Sequence, residues 1–301
     1  MNDTLPATLR QLRLSGLLAS LDVRLLEAQS HALNHREFLE LILQDELAVR
    51  ADRQLQRRLK AAGFRELKTL DDFDWAFNPS VKKKQIFDLA SGRYLREVRD
   101  VLFLGPPGVG KSHLAQALGY QAVKLGHAVL YRSVFDVVRD FLHDEAFAGH
   151  DKILAKYLKP DLLIIDDMGM KQLPKRSGEY LFEIIMRRYE TRSTMMTSNR
   201  PLEDWGKLVG DVPSATAILD RFLHHAELIQ IAGKSYRLRQ QGTKLKDPES
   251  ESKPANAPIG SDEAPANPKA AIAPFGSGRG NGRSKPANAP TGSEAGSREG
   301  S

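Results

Sequence analysis

An α/β fold, a parallel sheet flanked by helices, follows from three observations. From Val98 onward short apolar runs alternate with amphipathic stretches. One of those runs leads into a glycine-rich loop and then into a helical pattern. The first 75 residues instead carry helical periodicity, so a small all-helical N-terminal domain precedes the sheet.

In the N-terminal part, Leu14, Leu17, Leu18, Leu21 and Leu25 recur at helical spacing and predict one buried face. A second helix is expected over 35–62, with Phe38, Leu39, Ile42, Leu43 and Leu47 as its apolar side and Gly63 as its stop. Residues 71–78 read as a connection packed down by aromatics, and 76–97 as a linker. Strands are expected at 101–104, 128–131, 162–165, 194–197 and 228–231. Helices are expected at 111–125, from Ser133 with Asp136 placed for a capping box, at 179–189 and at 215–225. Such alternation means a mostly parallel sheet covered on both faces, filling 98–242.

Residues 243–301 differ in kind. They hold eight of the sixteen prolines and few large apolar side chains, and SKPANAPIGS at 252–261 recurs as SKPANAPTGS at 284–293. That composition predicts a disordered tail, with a short docking motif as the alternative.

The 301 residues are 41% apolar and 27% charged, ordinary for a folded protein. The absence of cysteine excludes disulfides, thiolate zinc sites and cysteine nucleophiles, and fits a reducing cytosol. No apolar run approaches the ~20 residues of a membrane span, and Arg10 and Arg13 precede no signal-peptide core. A cytoplasmic protein without membrane attachment is expected. The formal charge of +6 permits nucleic-acid binding without requiring it.

Gly105, Pro106, Pro107, Gly108, Val109, Gly110, Lys111 and Ser112 match G-x-x-x-x-G-K-[ST] between a strand and a helix. Glycines let successive N–H groups turn inward around an anion, and the next helix adds the positive end of its dipole. Lys111 would reach the β- and γ-phosphates and Ser112 would ligate Mg²⁺, with His113 in the first helical turn. These residues predict an ATP site. Asp166 and Asp167 close the apolar run at 162–165, where ligands gather in open α/β sheets. Asp166 is the expected Mg²⁺ carboxylate and Asp167 the expected base for water. Asn199, after another strand, is either a γ-phosphate sensor or a turn residue before Arg200 and Pro201.

GPPGVGKS, LLIIDDMG at 162–169, TSNRP at 197–201, LDRFLHHA at 219–226 and GKSYRLR at 233–239 together resemble the IstB-type AAA+ ATPases, transposition helpers of insertion sequences related to DnaC and DnaA. The resemblance spans about residues 5–241. It implies that Arg221 is an arginine finger acting in trans on a neighbour's ATP, hence a homo-oligomer. It further implies a cognate transposase as partner. Two departures stand out. Asp166–Asp167 replaces the commoner Asp-Glu pair, which implies slow hydrolysis, and no lid follows Arg239, which leaves a second sensor unassigned. His224 and His225, adjacent on a helix, are expected to point about 100° apart and to be packing or cap residues, poor as joint metal ligands.

Arg50, Arg53, Arg57 and Lys60 fall within about 80° on the second helix, flanked by Arg58, and Lys82, Lys83 and Lys84 form another basic cluster. From charge alone this is equally a solvated face or a phosphate-tracking stripe. The resemblance favours non-specific binding of duplex DNA. The competing functions are a DnaC-like helicase loader and a non-enzymatic module for which ATP is structural glue.

Overall fold

The protein is described from a computed structural model, in which residues 4–144, 149–169, 172–209 and 212–239 are placed. The expected tail at 243–301 lies outside them. Three helices come first: α1 (Thr4–Gln11), α2 (Ser15–Ser30) and α3 (His35–Ala62). The Asn34 side chain accepts hydrogen bonds from the Arg36 and Glu37 N–H groups while the Glu37 carboxylate accepts one from the Asn34 N–H, a capping box that starts α3. Gly63, at φ 69°, ends it as expected.

The N-terminal apolar faces are narrower than the leucine spacing predicts. Leu9, Leu17, Leu21 and Ile42 form the buried cluster, with Leu14, Leu18 and Phe38 against it. Leu25 is exposed, as are Leu39 (54%), Leu43 (49%) and Leu47 (62%) on α3. The reason is Glu46. Its buried carboxylate accepts from the N–H groups of Gly16 (2.6 Å) and Leu17 (3.0 Å) at the start of α2. This seats α2 on the Ile42–Glu46 side of α3 and leaves the next side open.

After α4 (Lys83–Ala90) and the single turn α5 (Arg93–Arg96), the sheet region alternates β1 (Asp100–Leu104), α6 (Lys111–Lys124), β2 (Val129–Ser133), α7 (Val134–Asp144), α8 (His150–Leu158), β3 (Leu162–Met168), α9 (Ser177–Arg188), β4 (Ser193–Ser198), α10 (Trp205–Val209), α11 (Val212–His224) and β5 (Ala226–Gln230). Each expected strand and helix here is present within a few residues; α4, α5, α8 and α10 are additional. Ser133 and Asp136 exchange hydrogen bonds at the start of α7.

The strands run in the order β2-β3-β4-β1-β5, all parallel. Their alternate residues feed two cores. Leu102, Leu130, Leu163, Ile165 and Met196 face α7, α8, α9 and α11. Val101, Phe103, Tyr131, Ile164 and Met195 face α4, α6 and the end of α3, through Leu55, Leu59, Ala62 and Phe64. Asp100 is buried at the start of β1, where its carboxylate accepts from the Thr194 N–H at 2.6 Å. Among the described residues no helix is long and apolar enough to cross a membrane.

Candidate functional site

All five strands deliver their C-terminal ends to one edge, and the motif residues collect there. Gly105 leaves β1 at φ 155°, and a Cβ there would lie 2.1 Å from the Ile231 carbonyl oxygen. Gly108 (φ 82°) and Gly110 (φ 103°) are left-handed, and a Cβ would lie 2.0 Å from Ser235 Oγ and 2.6 Å from the Phe73 ring, respectively. Only glycine fits this path. The buried Asn78 amide donates to the Val109 carbonyl at 2.8 Å and pins the loop from outside. Pro106 and Pro107 are exposed and Val109 is buried. The ring of His113 lies 2.9 Å from the Thr69 carbonyl and edge-on to Phe73.

Lys111 is buried, and its Nζ donates to the Gly105 and Pro106 carbonyls, both at 2.9 Å. Burial pulls its pKa down, against the pull of Asp166 and Asp167. Ser112 Oγ donates to Asp166 Oδ1 at 2.9 Å, so the loop and β3 converge. Asp166 is fully buried and also accepts from Tyr131 Oη and Thr197 Oγ1.

A bulge separates the two acids. Ile165 pairs with Met196 and Met168 with Ser198, so Asp166 and Asp167 together oppose Thr197. Asp167 takes a left-handed φ of 65°, and its N–H donates to Thr197 Oγ1 at 3.1 Å. Adjacent acids thereby reach different surroundings: Asp166 is enclosed, while Asp167 meets Arg65 at 2.9 Å. Burial first, then Asp166, hold the Asp167 carboxyl above the ordinary carboxylate range, and Arg65 opposes them.

These groups line a cavity of about 550 Å³. Its phosphate-loop side is Gly108 through His113; Tyr131, Asp166 and Asp167 form another wall. Residues without a motif complete it: Arg65, Phe73 and Phe77 from the segment after α3, and Tyr236 and Arg237 from the segment after β5. The Tyr236 N–H donates to the Gly108 carbonyl at 2.9 Å. The space fits a nucleoside triphosphate: a glycine cradle that a Cβ would fill, a lysine facing inward, and a pair of hard oxygen donors suited to Mg²⁺.

Asn199 and Arg221 do not line this cavity. Asn199 Oδ1 is buried at the end of β4 with no hydrogen-bond partner among the described residues, and a Cβ on Gly169 would lie 2.6 Å from it. Arg221 is exposed on α11, its guanidinium 5.6 Å from the centre of the Tyr189 ring. His224 and His225 do not diverge as expected. The helix ends at His224, so His225 lies in the bend before β5 and not on the helix, and the ring centres are 4.2 Å apart.

The basic residues divide. Arg50 pairs with Glu46 (2.6 Å) and Arg53 donates to Ser15 Oγ (2.5 Å), tying α3 to the start of α2. Arg57 and Lys60 are exposed on the far half of α3, and Arg58 is half-buried. Lys82, Lys83 and Lys84 are exposed, and Lys83 lies over the Trp75 and Phe87 rings.

Comparison with known proteins gives the family. The model of the IstB-like ATP binding protein family matches residues 7–244. An insertion sequence IS5376 ATP-binding protein from Geobacillus stearothermophilus is 38% identical over 71% of this chain and 85% of its own length. The insertion sequence IS21 ATP-binding protein of Pseudomonas aeruginosa is 37% identical over 79% of this chain and 89% of its own. Among solved structures, the DnaC helicase loader is similar over 49% of this chain and 86% of its own, at 24% identity and a TM-score of 0.43. The replication initiator DnaA bound to AMPPCP and single-stranded DNA is similar over 61% and 56%, at 22% identity and a TM-score of 0.47. With its phosphate loop joined to the acid pair of β3, the chain belongs to the IstB-like ATP-binding protein family of P-loop ATPases.

Proposed function

We propose that this protein is the ATP-driven helper of an insertion sequence, a cytoplasmic oligomer that binds duplex DNA without sequence preference and recruits its transposase there. The observation that carries the reading is the 2.9 Å contact between Ser112 Oγ and Asp166 Oδ1, which couples the phosphate loop to the acid of β3. ATP with Mg²⁺, when bound, supplies the phosphoryl group and the cation that offsets its charge. Lys111 exchanges the Gly105 and Pro106 carbonyls for phosphate oxygens, and the loop glycines donate their N–H groups. Ser112 and Asp166 hold the cation. Asp167 orients and deprotonates water, slowly because its carboxylate is one methylene shorter than glutamate. Asn199 is the sensor: once turned from the end of β4 toward the cavity, its amide NH₂ donates to the γ-phosphate, and its Oδ1, which has no partner among the described residues, accepts from the attacking water.

Arg221 acts in trans. Its exposure and its absence from its own cavity support this reading, since the finger must serve a neighbour. The basic residues of α3 (Arg50, Arg53, Arg57, Arg58 and Lys60), with Lys82, Lys83 and Lys84, track DNA phosphates, with Arg57 and Lys60 the most available. The insertion-sequence relatives favour a transposase over a helicase as the recruited protein.

Light scattering after size exclusion tests the proposal, with wild type, Lys111→Ala and Arg221→Ala in ATP, Mg²⁺ and duplex DNA. Wild type assembles and turns over. Lys111→Ala loses ATP binding, while Arg221→Ala keeps it and loses about 10³-fold in turnover. A wild type that remains monomeric on DNA in every nucleotide state overturns the mechanism. Capture of a replicative helicase instead of the transposase makes the protein a loader.

A further inference from the structure

The edge of the sheet opposite the phosphate loop carries a cluster with different chemistry. Tyr189 and Glu190 lie in the turn from α9 to β4, His224 is the last residue of α11, and His225 joins it to β5. One ring nitrogen of each histidine and one carboxylate oxygen of Glu190 lie within 4.8 Å of one another. His225 Nε2 and Glu190 Oε1 are 3.1 Å apart. The Tyr189 hydroxyl is 2.7 Å from His224 Nδ1 and 3.5 Å from His225 Nε2.

We infer that Glu190, His224 and His225 form a binding site for a divalent transition-metal ion of the zinc or cobalt type. The spacing is the first reason. With metal–ligand bonds of about 2.0–2.1 Å, neighbouring donors of a tetrahedral ion stand about 3.3 Å apart. The His225–Glu190 separation of 3.1 Å is close to one such edge, and a His224 ring nitrogen lies within 4.8 Å of both donors. The donor set is the second reason. Two imidazoles and one carboxylate suit Zn²⁺, Co²⁺ or Ni²⁺, whereas the all-oxygen pair Ser112 and Asp166 suits Mg²⁺. The third is the backbone. Glu190 holds a left-handed φ of 55°, and the Asp100 N–H donates to the His225 carbonyl at 3.3 Å, so both turns are fixed before any ion arrives. Solvent reaches the cluster, since Glu190 and His224 are exposed. The Tyr189 hydroxyl hydrogen-bonds His224 Nδ1 and helps to orient that ring. Arg221 faces the ring of the same tyrosine, and it is the cation that an incoming ion must tolerate.

The test uses the untagged full chain, freed of metal by dialysis, in excess Mg²⁺ so that the phosphate-loop site is masked. Co²⁺ is titrated while its visible d–d absorption is followed, and Zn²⁺ is then added in competition. One Co²⁺ per chain is expected, with the intense bands of four-coordination, displaced by Zn²⁺. His225→Ala and Glu190→Gln weaken it by more than the about 100-fold that changes beside a ligand cost. His31→Ala, a histidine at the end of α2, leaves it unchanged. Zn²⁺ raises the thermal midpoint of wild type and not of Glu190→Gln, a charge-removing change at an exposed position that spares the fold. No stoichiometric uptake, or equal uptake by all the variants, overturns the inference.

Discussion

Arg65 and Asp167, 102 residues apart in the chain, meet as an ion pair at 2.9 Å on the wall of the nucleotide cavity. The pair sets the charge of the proposed base. Burial and Asp166 push the Asp167 carboxyl up, and Arg65 pulls it back. A base works deprotonated, so activity disappears as pH falls through its pKa. Removing Arg65 removes the downward pull, and the acid limb moves to higher pH. Arg65→Ala is therefore expected to lose turnover at pH 6 more than at pH 8. Measured kcat between pH 5 and 8 checks this; an unmoved limb would show that Asp167 is not the titrating base.

Gly108→Ala is expected to damage the site without touching a charged group. The added Cβ would sit 2.0 Å from Ser235 Oγ and 2.8 Å from Ser235 Cβ, at a φ of 82°. The strained backbone costs about 1–3 kcal/mol, and the segment at 233–237 must move off the loop. Nucleotide affinity should fall at least about tenfold, which corresponds to about 1.4 kcal/mol. Equilibrium titration with a fluorescent ATP analogue reads it directly.

Asp100 makes the fold sensitive to pH. Burial pushes its carboxyl up to about 7, against the Thr194 N–H bond and the charge of Arg188. A raised acid binds its proton more tightly when folded. Its contribution to stability is thus greatest at low pH and falls as pH rises from about 4 to about 7, by about 2–4 kcal/mol over that window. Asp100→Asn keeps an acceptor for Thr194 and removes this slope. Urea midpoints of the two proteins at pH 5 and 8 should converge at the acid end and separate at the alkaline end, with the variant more stable there.

On α3 the structure separates two kinds of cation. Arg57→Ala with Lys60→Ala removes two exposed charges, so the slope of log K against log salt for duplex DNA should fall by about 2. The thermal midpoint should not change. Arg50→Ala should instead lower it, because the buried Glu46 carboxylate loses its ion-pair partner and keeps only the Gly16 and Leu17 N–H bonds. Equal salt slopes for wild type and the double variant would remove α3 from the DNA interface.

The parallel sheet, its helices and the phosphate loop were legible because each rests on local pattern. Gly105 through Ser112 announce their chemistry by type and spacing, and the apolar run before Asp166 shows where β3 must end. Other parts depend on distant partners. Nothing near Leu39, Leu43 and Leu47 foretells that Glu46 would draw α2 to a neighbouring face. Arg65, Tyr131 and Arg237 belong to no motif and reach the cavity only when the chain closes. The bulge that parts Asp166 from Asp167 is set by Thr197 on another strand. The pairing of His224 with His225 follows from one residue's difference in where α11 stops. Helix α8 did leave a signal: Ile153, Leu154, Tyr157 and Leu158 follow helical spacing and pack into the core.

Helix α3 carries one more consequence. Its 28 residues make a rod about 42 Å long. One half carries α1 and α2, and the other is embedded against the sheet through Leu55, Leu59 and Ala62. No glycine or proline interrupts it between His35 and Ala62. It therefore has no joint in which to absorb a torque. The continuous helix links the N-terminal hairpin to Gly63, two residues before Arg65, whose guanidinium holds Asp167. The helical hairpin and the nucleotide cavity thus share one uninterrupted element.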